Sequence, residues 1–246
     1  MNKAIILLIK SFIILNMEVF ECITTRRSIR KYLDMPVEWD KVGTILEAGR
    51  LAPNSGNIQD YSFIVVQDEE KRKSIAEASL RQQWMSKAPV HIVVCSDLKK
   101  SERFYGIRGE RLYSVQNCAA AVENMLLTAH SLDLGACWVG AFDENVVSRV
   151  LGIPDYVRPQ AIITIGYSDE KPKAPQKFPL TTVAFIEKYG NRVKDIPAVM
   201  HDYSLIMERN LKKGKAIFES TGKKTGNLLT EKGKELAKKI KEKFKK

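Results

Sequence analysis

Thr25-Arg26-Arg27-Ser28-Ile29-Arg30-Lys31-Tyr32, then Ala52-Pro53-Asn54-Ser55-Gly56-Asn57-Ile58-Gln59, and far downstream Gly135-Ala136-Cys137-Trp138-Val139-Gly140-Ala141-Phe142, are the stretches whose joint reading decides the fold. The first gathers three guanidinium groups around a serine. Arginine suits an anion because its planar fork makes bidentate, charge-assisted hydrogen bonds. The second stretch is a polar loop of small residues. The third is a Gly-rich strand end, where a missing side chain lets backbone approach a flat ring. An anionic ligand with a flat, hydrogen-bonding ring system would use all three. None of them supplies a nucleophile, a metal cage or a paired carboxylate site.

Working outward, Glu18 to Thr24 reads as a short helix feeding the arginine segment. Val37-Glu38-Trp39 opens a second helix running to Leu51, with Val42, Ile45, Leu46 and Gly49 on one face. Pro53 ends it and starts the small-residue loop. Tyr61–Gln67 is a β-branched and aromatic strand, Glu69–Ser79 a charged helix, and Pro89–Ser96 an apolar, buried strand. Leu112–Leu134 is the longest periodic element. Its centre, Cys118 to Val122, is apolar nearly all round, which predicts burial on every side. A central core helix and a helix packed across a subunit interface both satisfy that pattern. A strand ends at the third stretch, Glu144–Leu151 is a short helix, and Gln160–Tyr167 is another strand. No Gly-x-Gly-x-x-Gly follows a first strand, which argues against a Rossmann domain.

The 246 residues are enough for a full core, and 44% apolar content is globular. The net charge of +11 is unevenly placed: residues 191–246 hold 16 Lys/Arg against 7 Asp/Glu, or +9. The basic balance therefore belongs to the tail and does not argue for nucleic-acid binding by the rest. Within that tail Leu236, Ile240 and Phe244 recur every four residues between lysines, giving a narrow apolar stripe on a cationic helix. Nucleic-acid or membrane contact by this tail is open but not expected; docking on its own subunit is the simpler reading. Cys22, Cys95, Cys118 and Cys137 form no Cys-x-x-Cys pair, so a reducing, cytoplasmic compartment is expected. His91 and His130 lie in apolar elements and read as structural. Residues 4–15 resemble a signal core but are broken by Lys10 and Ser11 and too short to span a bilayer. They read as an upstream start, with a helical extension and a membrane anchor as alternatives.

In order and spacing, the three stretches, with Gly166-Tyr167 and the Pro/Lys-rich segment after it, resemble the nitroreductase family of FMN-dependent oxidoreductases. The resemblance runs from about Glu18 to about Leu180. It implies an α+β fold: a mixed, mainly antiparallel sheet flanked by helices, in a homodimer with a long central interface helix. The corresponding organisation is residues 1–16 as an apolar extension, 17–190 as the FMN-binding domain and 191–246 as the basic tail.

By the same resemblance Arg26, Arg27 and Ser28 serve the phosphate and ribityl end of FMN. Arg30 approaches the N1/C2 edge of the ring, where a fixed cation favours the reduced flavin. Pro53, Asn54, Ser55 and Asn57 reach the flavin bound mainly by the other subunit. Gln82 is the candidate amide for the pyrimidine ring. Gly140 and Ala141 bring backbone N–H groups near N5 and O4, and Lys177 is the candidate second phosphate ligand. No catalytic side chain and no metal are expected, since the cofactor carries the redox chemistry. Asn54 replaces the family's usual serine. Asp60-Tyr61 stands where many members have Pro-Trp, which puts the wall of the substrate pocket in question.

The activity implied is ping-pong hydride transfer from NAD(P)H through flavin N5 to an electron-poor acceptor of nitroaromatic or quinone type. Alternatives are a flavin-fragmenting enzyme of the same fold (dimethylbenzimidazole-synthase type), or a non-catalytic flavin- or nucleotide-binding protein whose basic tail docks on nucleic acid or a membrane.

Overall fold

The computed structural model describes residues 18–192. The apolar leading stretch and the tail stripe of Leu236, Ile240 and Phe244 lie outside the described residues. The chain divides into two compact units between Ala174 and Pro175. The first carries helices α1 (Val19–Thr25), α2 (Trp39–Arg50), α3 (Glu69–Ala78), α4 (Leu98–Arg108), α5 (Ser114–Ser131) and α6 (Glu144–Leu151). Its strands are β1 (Tyr61–Val66), β2 (Val90–Asp97), β3 (Gly135–Val139) and β4 (Val157–Gly166). The described part of the second unit holds the four-residue helix α7 (Leu180–Val183) and a turn in which Phe185 bridges Arg192 and packs against Tyr189.

The sheet runs β1-β2-β4-β3, and every pairing of these strands is antiparallel. Val66 lies opposite His91, Val90 opposite Ile165, and Gly135 opposite Gly166. A bulge interrupts the β2–β4 ladder between Val94 and Cys95. Because successive side chains of a strand point to opposite faces, β2 feeds two cores. Val90, Ile92 and Val94 pack with Val42 and Ile45 of α2 and with Val122 and Met125 of α5. Val93 and Cys95 pack with Ile75 of α3, Met85 and Val147 of α6. The sheet is thus a middle layer between α2/α5 and α3/α6. The buried Cys95 and Cys118 of the sequence reading sit in these two cores. Among the described residues no helix is long and apolar enough to cross a membrane.

Two elements differ from the sequence expectation. The sequence pattern does not announce α4, because Phe104, Tyr105 and Ile107 stay exposed, only Ser101 of the helix is buried, and Gly106 breaks it at φ 58°. The long helix expected over Leu112–Leu134 is α-helical from Ser114 to Ser131 and is entered through a π turn at Gly109–Tyr113. Nor is α5 buried all round in this chain. Cys118, Ala121, Val122, Met125 and Ala129 face the core, whereas Val115 is 40% exposed and Ala119 and Ala120 are half-buried. The sheet covers only one side of the helix.

His91 is fully buried on β2, as its apolar setting implied. Its Nε2 lies 2.8 Å from the Met85 carbonyl, which can only accept, so Nε2 carries the proton. Nδ1 is left buried without a partner among the described residues. Burial, aided by Arg72 and opposed by the Met85 carbonyl, lowers this imidazole to about 4 from 6.5. The unfolded chain therefore takes up a proton near pH 6.5 that the folded chain refuses until about pH 4. Stability is unaffected by this group above pH 6.5 and falls as pH drops through that window, by about 3 kcal/mol in all. Urea unfolding of the wild type and His91→Gln at pH 7 and pH 4.5 should show a smaller loss in the variant.

Candidate functional site

The arginine segment leaves α1 as an extended strip and is fastened to the sheet at both ends. Ile29 N donates to the Ala136 carbonyl at 3.0 Å, and Ser28 forms a parallel bridge with Ala136 on β3. Leu33 N donates to Tyr167 O, Asp169 N donates to Lys31 O, and Tyr32 bridges Ser168. Ile29 and Tyr32 are the buried residues of the strip. The Tyr32 hydroxyl donates to Ile29 O at 2.6 Å and contacts Thr164 Oγ1 at 2.8 Å. Desolvation raises this phenol far above its ordinary range, so it remains a proton donor. Such close seating needs two residues without side chains. A Cβ on Gly135 would lie 2.8 Å from Ile29 Cγ2, and one on Gly166 would lie 2.8 Å from Tyr32 Cδ1.

The remaining side chains of the strip carry charge. Arg26 and Arg27 are half-buried and Arg30 is exposed. Arg27 Nη1 donates to the carbonyls of Thr24 and Arg26, and the Arg30 guanidinium lies 5.8 Å from the Trp84 ring. Among the described residues none of the three arginines makes an ion pair. Glu170 instead uses one carboxylate oxygen to accept the backbone N–H of Arg30 at 2.5 Å and of Lys31 at 3.0 Å. The strip is held by backbone bonds, and its guanidinium groups stay available.

A cavity of about 840 Å³ opens beside the strip. Its lining sets Arg26, Arg27 and Lys171 against Asp133, Asp169 and Glu170. His130 also lines it, with Nε2 2.8 Å from Thr25 Oγ1. Partial burial, with Arg26 and Arg27 nearby and Asp133 opposing, lowers the His130 pKa. His130, read as structural from the sequence, ties α5 to Thr25 and lines this cavity. No local motif signals a contact between residues 105 positions apart.

The other expected site residues lie outside that cavity. Gly140 and Ala141 are exposed just beyond β3. A Cβ on Gly140 would meet only Trp138 Nε1, at 3.6 Å, so the space before this backbone is open. Gln82 is half-buried in a turn where Leu80 and Arg81 both have positive φ, 56° and 58°. Its Nε2 donates to Ser79 O at 2.9 Å. Lys177 is exposed in the second unit.

The loop after α2 is drawn inward. Asn54 Oδ1 accepts Gln59 N at 2.9 Å, and Gly56, Asn57 and Gln59 all have positive φ. Asn117 Oδ1 accepts from both N and Oγ of Ser55, at 2.9 and 3.2 Å. Pro53 and Asn57 stay exposed. Asp60 and Tyr61, whose place in a pocket wall was in question, point inward. Asp60 is 2% exposed, and the Tyr61 hydroxyl donates to Arg50 O at 2.7 Å.

The loop and the strip sit at opposite ends of α5. Ser55 is tied to Asn117 near its start, while Cys22 reaches Leu127 O and Thr25 reaches His130 near its end. At 1.5 Å rise per residue those anchors are roughly 20 Å apart along the helix. One chain therefore holds the loop and the strip apart.

The sequence profile described as the nitroreductase family matches residues 23–84 and 77–167. The chain belongs to the nitroreductase family. It is 38% identical over 159 residues to a protein of Archaeoglobus fulgidus provisionally named NADH dehydrogenase/NAD(P)H nitroreductase, spanning 63% of this chain and 88% of that one. It is 33% identical over 177 residues to an FMN reductase of Bacillus subtilis named for NAD(P)H, spanning 65% of this chain and 71% of the relative. Among solved structures, NADPH:FMN oxidoreductase from Vibrio harveyi complexed with NAD+ superposes with a TM-score of 0.65 at 25% identity. That match covers 78% of this chain and 85% of the other. The nitroreductase fold expected from the sequence is the fold found.

In this nitroreductase-family chain the seating of the arginine strip is directly testable. Gly135→Val should force Ile29 off β3 and destabilise the protein by about 1–3 kcal/mol, the usual cost of overpacking. A thermal melt that does not shift would show that the strip yields freely.

Proposed function

We propose that the protein is an NAD(P)H-dependent flavin oxidoreductase that holds FMN and reduces electron-poor acceptors of nitroaromatic or quinone type. The observation that carries this reading is the strip of guanidinium groups, fastened by its backbone and free of ion pairs among the described residues. The donor set fits the cofactor. Arg26, Arg27 and Ser28 would take the phosphate and polyol, with Lys177 as a further phosphate ligand. Arg30 would face the N1/C2 edge, Gln82 the pyrimidine ring, and the open backbone at Gly140 and Ala141 the N5/O4 side. Bound FMN would supply two-electron chemistry, accepting hydride from NAD(P)H and returning it to the acceptor. The chain's own part is to neutralise the phosphate, hold a fixed cation at the ring edge and present N–H groups over it. Nicotinamide and acceptor would use one face in turn, which gives ping-pong kinetics.

The working form is proposed to be a homodimer. FMN is expected to need both the loop and the strip, and one chain holds them roughly 20 Å apart along α5. Two copies with α5 helices antiparallel would bring Pro53, Asn54, Ser55 and Asn57 of one protomer to the arginine strip of its partner. The half-open side of α5 and the exposed Val19, Phe20 and Ile23 of α1 supply apolar surface for that contact. The four cysteines are free and buried, which suits a reducing cytoplasm, the proposed location.

The purified protein should be yellow, release FMN, and be bleached by anaerobic titration with NAD(P)H and reoxidised by menadione. FMN should bind far more tightly than riboflavin in a fluorescence titration, and Arg26→Ala should weaken FMN about 10- to 100-fold with little effect on riboflavin. That range corresponds to the roughly 1.5–3 kcal/mol of a charge-assisted hydrogen bond. Equal affinity for the two flavins would remove the phosphate assignment.

Arg30→Ala should keep FMN bound but lower its midpoint potential, because the lost cation favours the reduced ring more than the oxidised one. Spectroelectrochemistry reads this directly, and an unchanged potential would move Arg30 away from the ring.

A further inference from the structure

The polar side chains buried beneath the 54–59 loop form one connected chain. Asp60, at the start of β1, is 2% exposed, and Asn117 of α5 is 3% exposed. Ser101 of α4 is fully buried. The direction of every hydrogen bond follows from one group that has no choice. The Ser55 backbone N–H can only donate, so the atom of Asn117 that meets it at 2.9 Å is the amide oxygen. The Asn117 amide NH₂ must then face Asp60, where Nδ2 lies 2.7 Å from Oδ1. Asp60 must accept there, and its second oxygen accepts from Ser101 Oγ. Among the described residues no cation pairs with Asp60.

A buried carboxylate held only by neutral donors is a poor source of stability, since such a group loses hydration that no counter-charge returns. What it does is fix geometry. The relay joins the loop to α4, β1 and α5 at once. It anchors the residue next to three positive φ values, at Gly56, Asn57 and Gln59. It is also the place where Asp60-Tyr61 stands in this chain instead of the Pro-Trp pair expected from the resemblance.

We infer that Asp60 and Asn117 are positioning residues, which hold the 54–59 loop in the conformation that the flavin site of the partner protomer uses. The inference rests on the proposed assignment of that loop to FMN. Neither residue touches the ligand; each acts through Ser55.

An isosteric exchange tests it. Asn117→Asp keeps the acceptor for Ser55 but sets a second carboxylate against Asp60, breaking the relay. The double variant Asp60→Asn/Asn117→Asp restores a complete chain of donors and acceptors. The introduced amide at 60 donates to the introduced carboxylate at 117 and accepts from Ser101. Asn117→Asp alone should weaken FMN binding at least tenfold and speed amide hydrogen exchange at residues 54–59 at least tenfold. Exchange across β2 should stay unchanged. The double variant should return both readings to within about threefold of wild type. Wild-type values in Asn117→Asp, or no recovery in the double variant, would overturn the relay. Accelerated exchange in β2 as well would reduce the role to general stability and overturn it too. If the wild type takes up no FMN, the proposed function fails, while loop exchange in the two variants still decides whether the relay exists.

Discussion

The distance at which the arginine strip can lie on β3 governs the rest of the site. Neighbouring guanidinium groups repel one another, so charge alone would push residues 26–30 apart and into solvent. Burial of Ile29 and Tyr32, and backbone hydrogen bonds to Ala136, Tyr167 and Glu170, hold the strip regardless of that repulsion. Both depend on absent side chains, because a Cβ at Gly135 or Gly166 would occupy the space that Ile29 and Tyr32 fill. Among the described residues the arginine side chains of the strip are then left without ion pairs. That is an unfavourable arrangement for an isolated chain and a favourable one for a chain that takes up an anion.

Helix α5 sets the second distance. It packs one side on the sheet and uses its two ends as separate anchors, for the small-residue loop at Asn117 and for the arginine strip at Leu127 and His130. A straight helix cannot shorten, so the loop and the strip are held apart by its length. The same rigidity that prevents one chain from closing the proposed site makes an antiparallel pair of copies a simple way to complete it.

Local rules are broken beside several candidate ligand residues. Leu80 and Arg81 adopt left-handed backbone beside Gln82, as do Asn57 and Gln59 in the loop, and under that loop lies buried Asp60, with no cation paired to it among the described residues. Such departures cost free energy and persist where surrounding contacts over-determine them. Their place next to candidate ligand residues fits a scaffold that accepts local compromises at the site.

Much of the architecture was legible in the sequence. The β-branched and aromatic run of β1, the apolar run of β2, the apolar face of α2 and the spacing of the three opening stretches are all local patterns. Helix α4 was not legible, since its burial amounts to Ser101 and its exposed aromatics give no periodic face. The one-sided burial of α5 within one chain was not legible, because alanine-rich sequence states what a helix can bury, not whether its own chain covers it. At the site, the sequence by itself determined which residue types were present: arginines around a serine, small polar loop residues, glycines at a strand end. Only the tertiary structure decided that Glu170 fastens the strip, that His130 faces Thr25, and that Asp60 turns inward to Asn117. Those contacts join residues from 57 to 140 positions apart, and nothing local in a chain encodes which distant hydrogen-bond partner the packing of helices on a sheet will bring within reach.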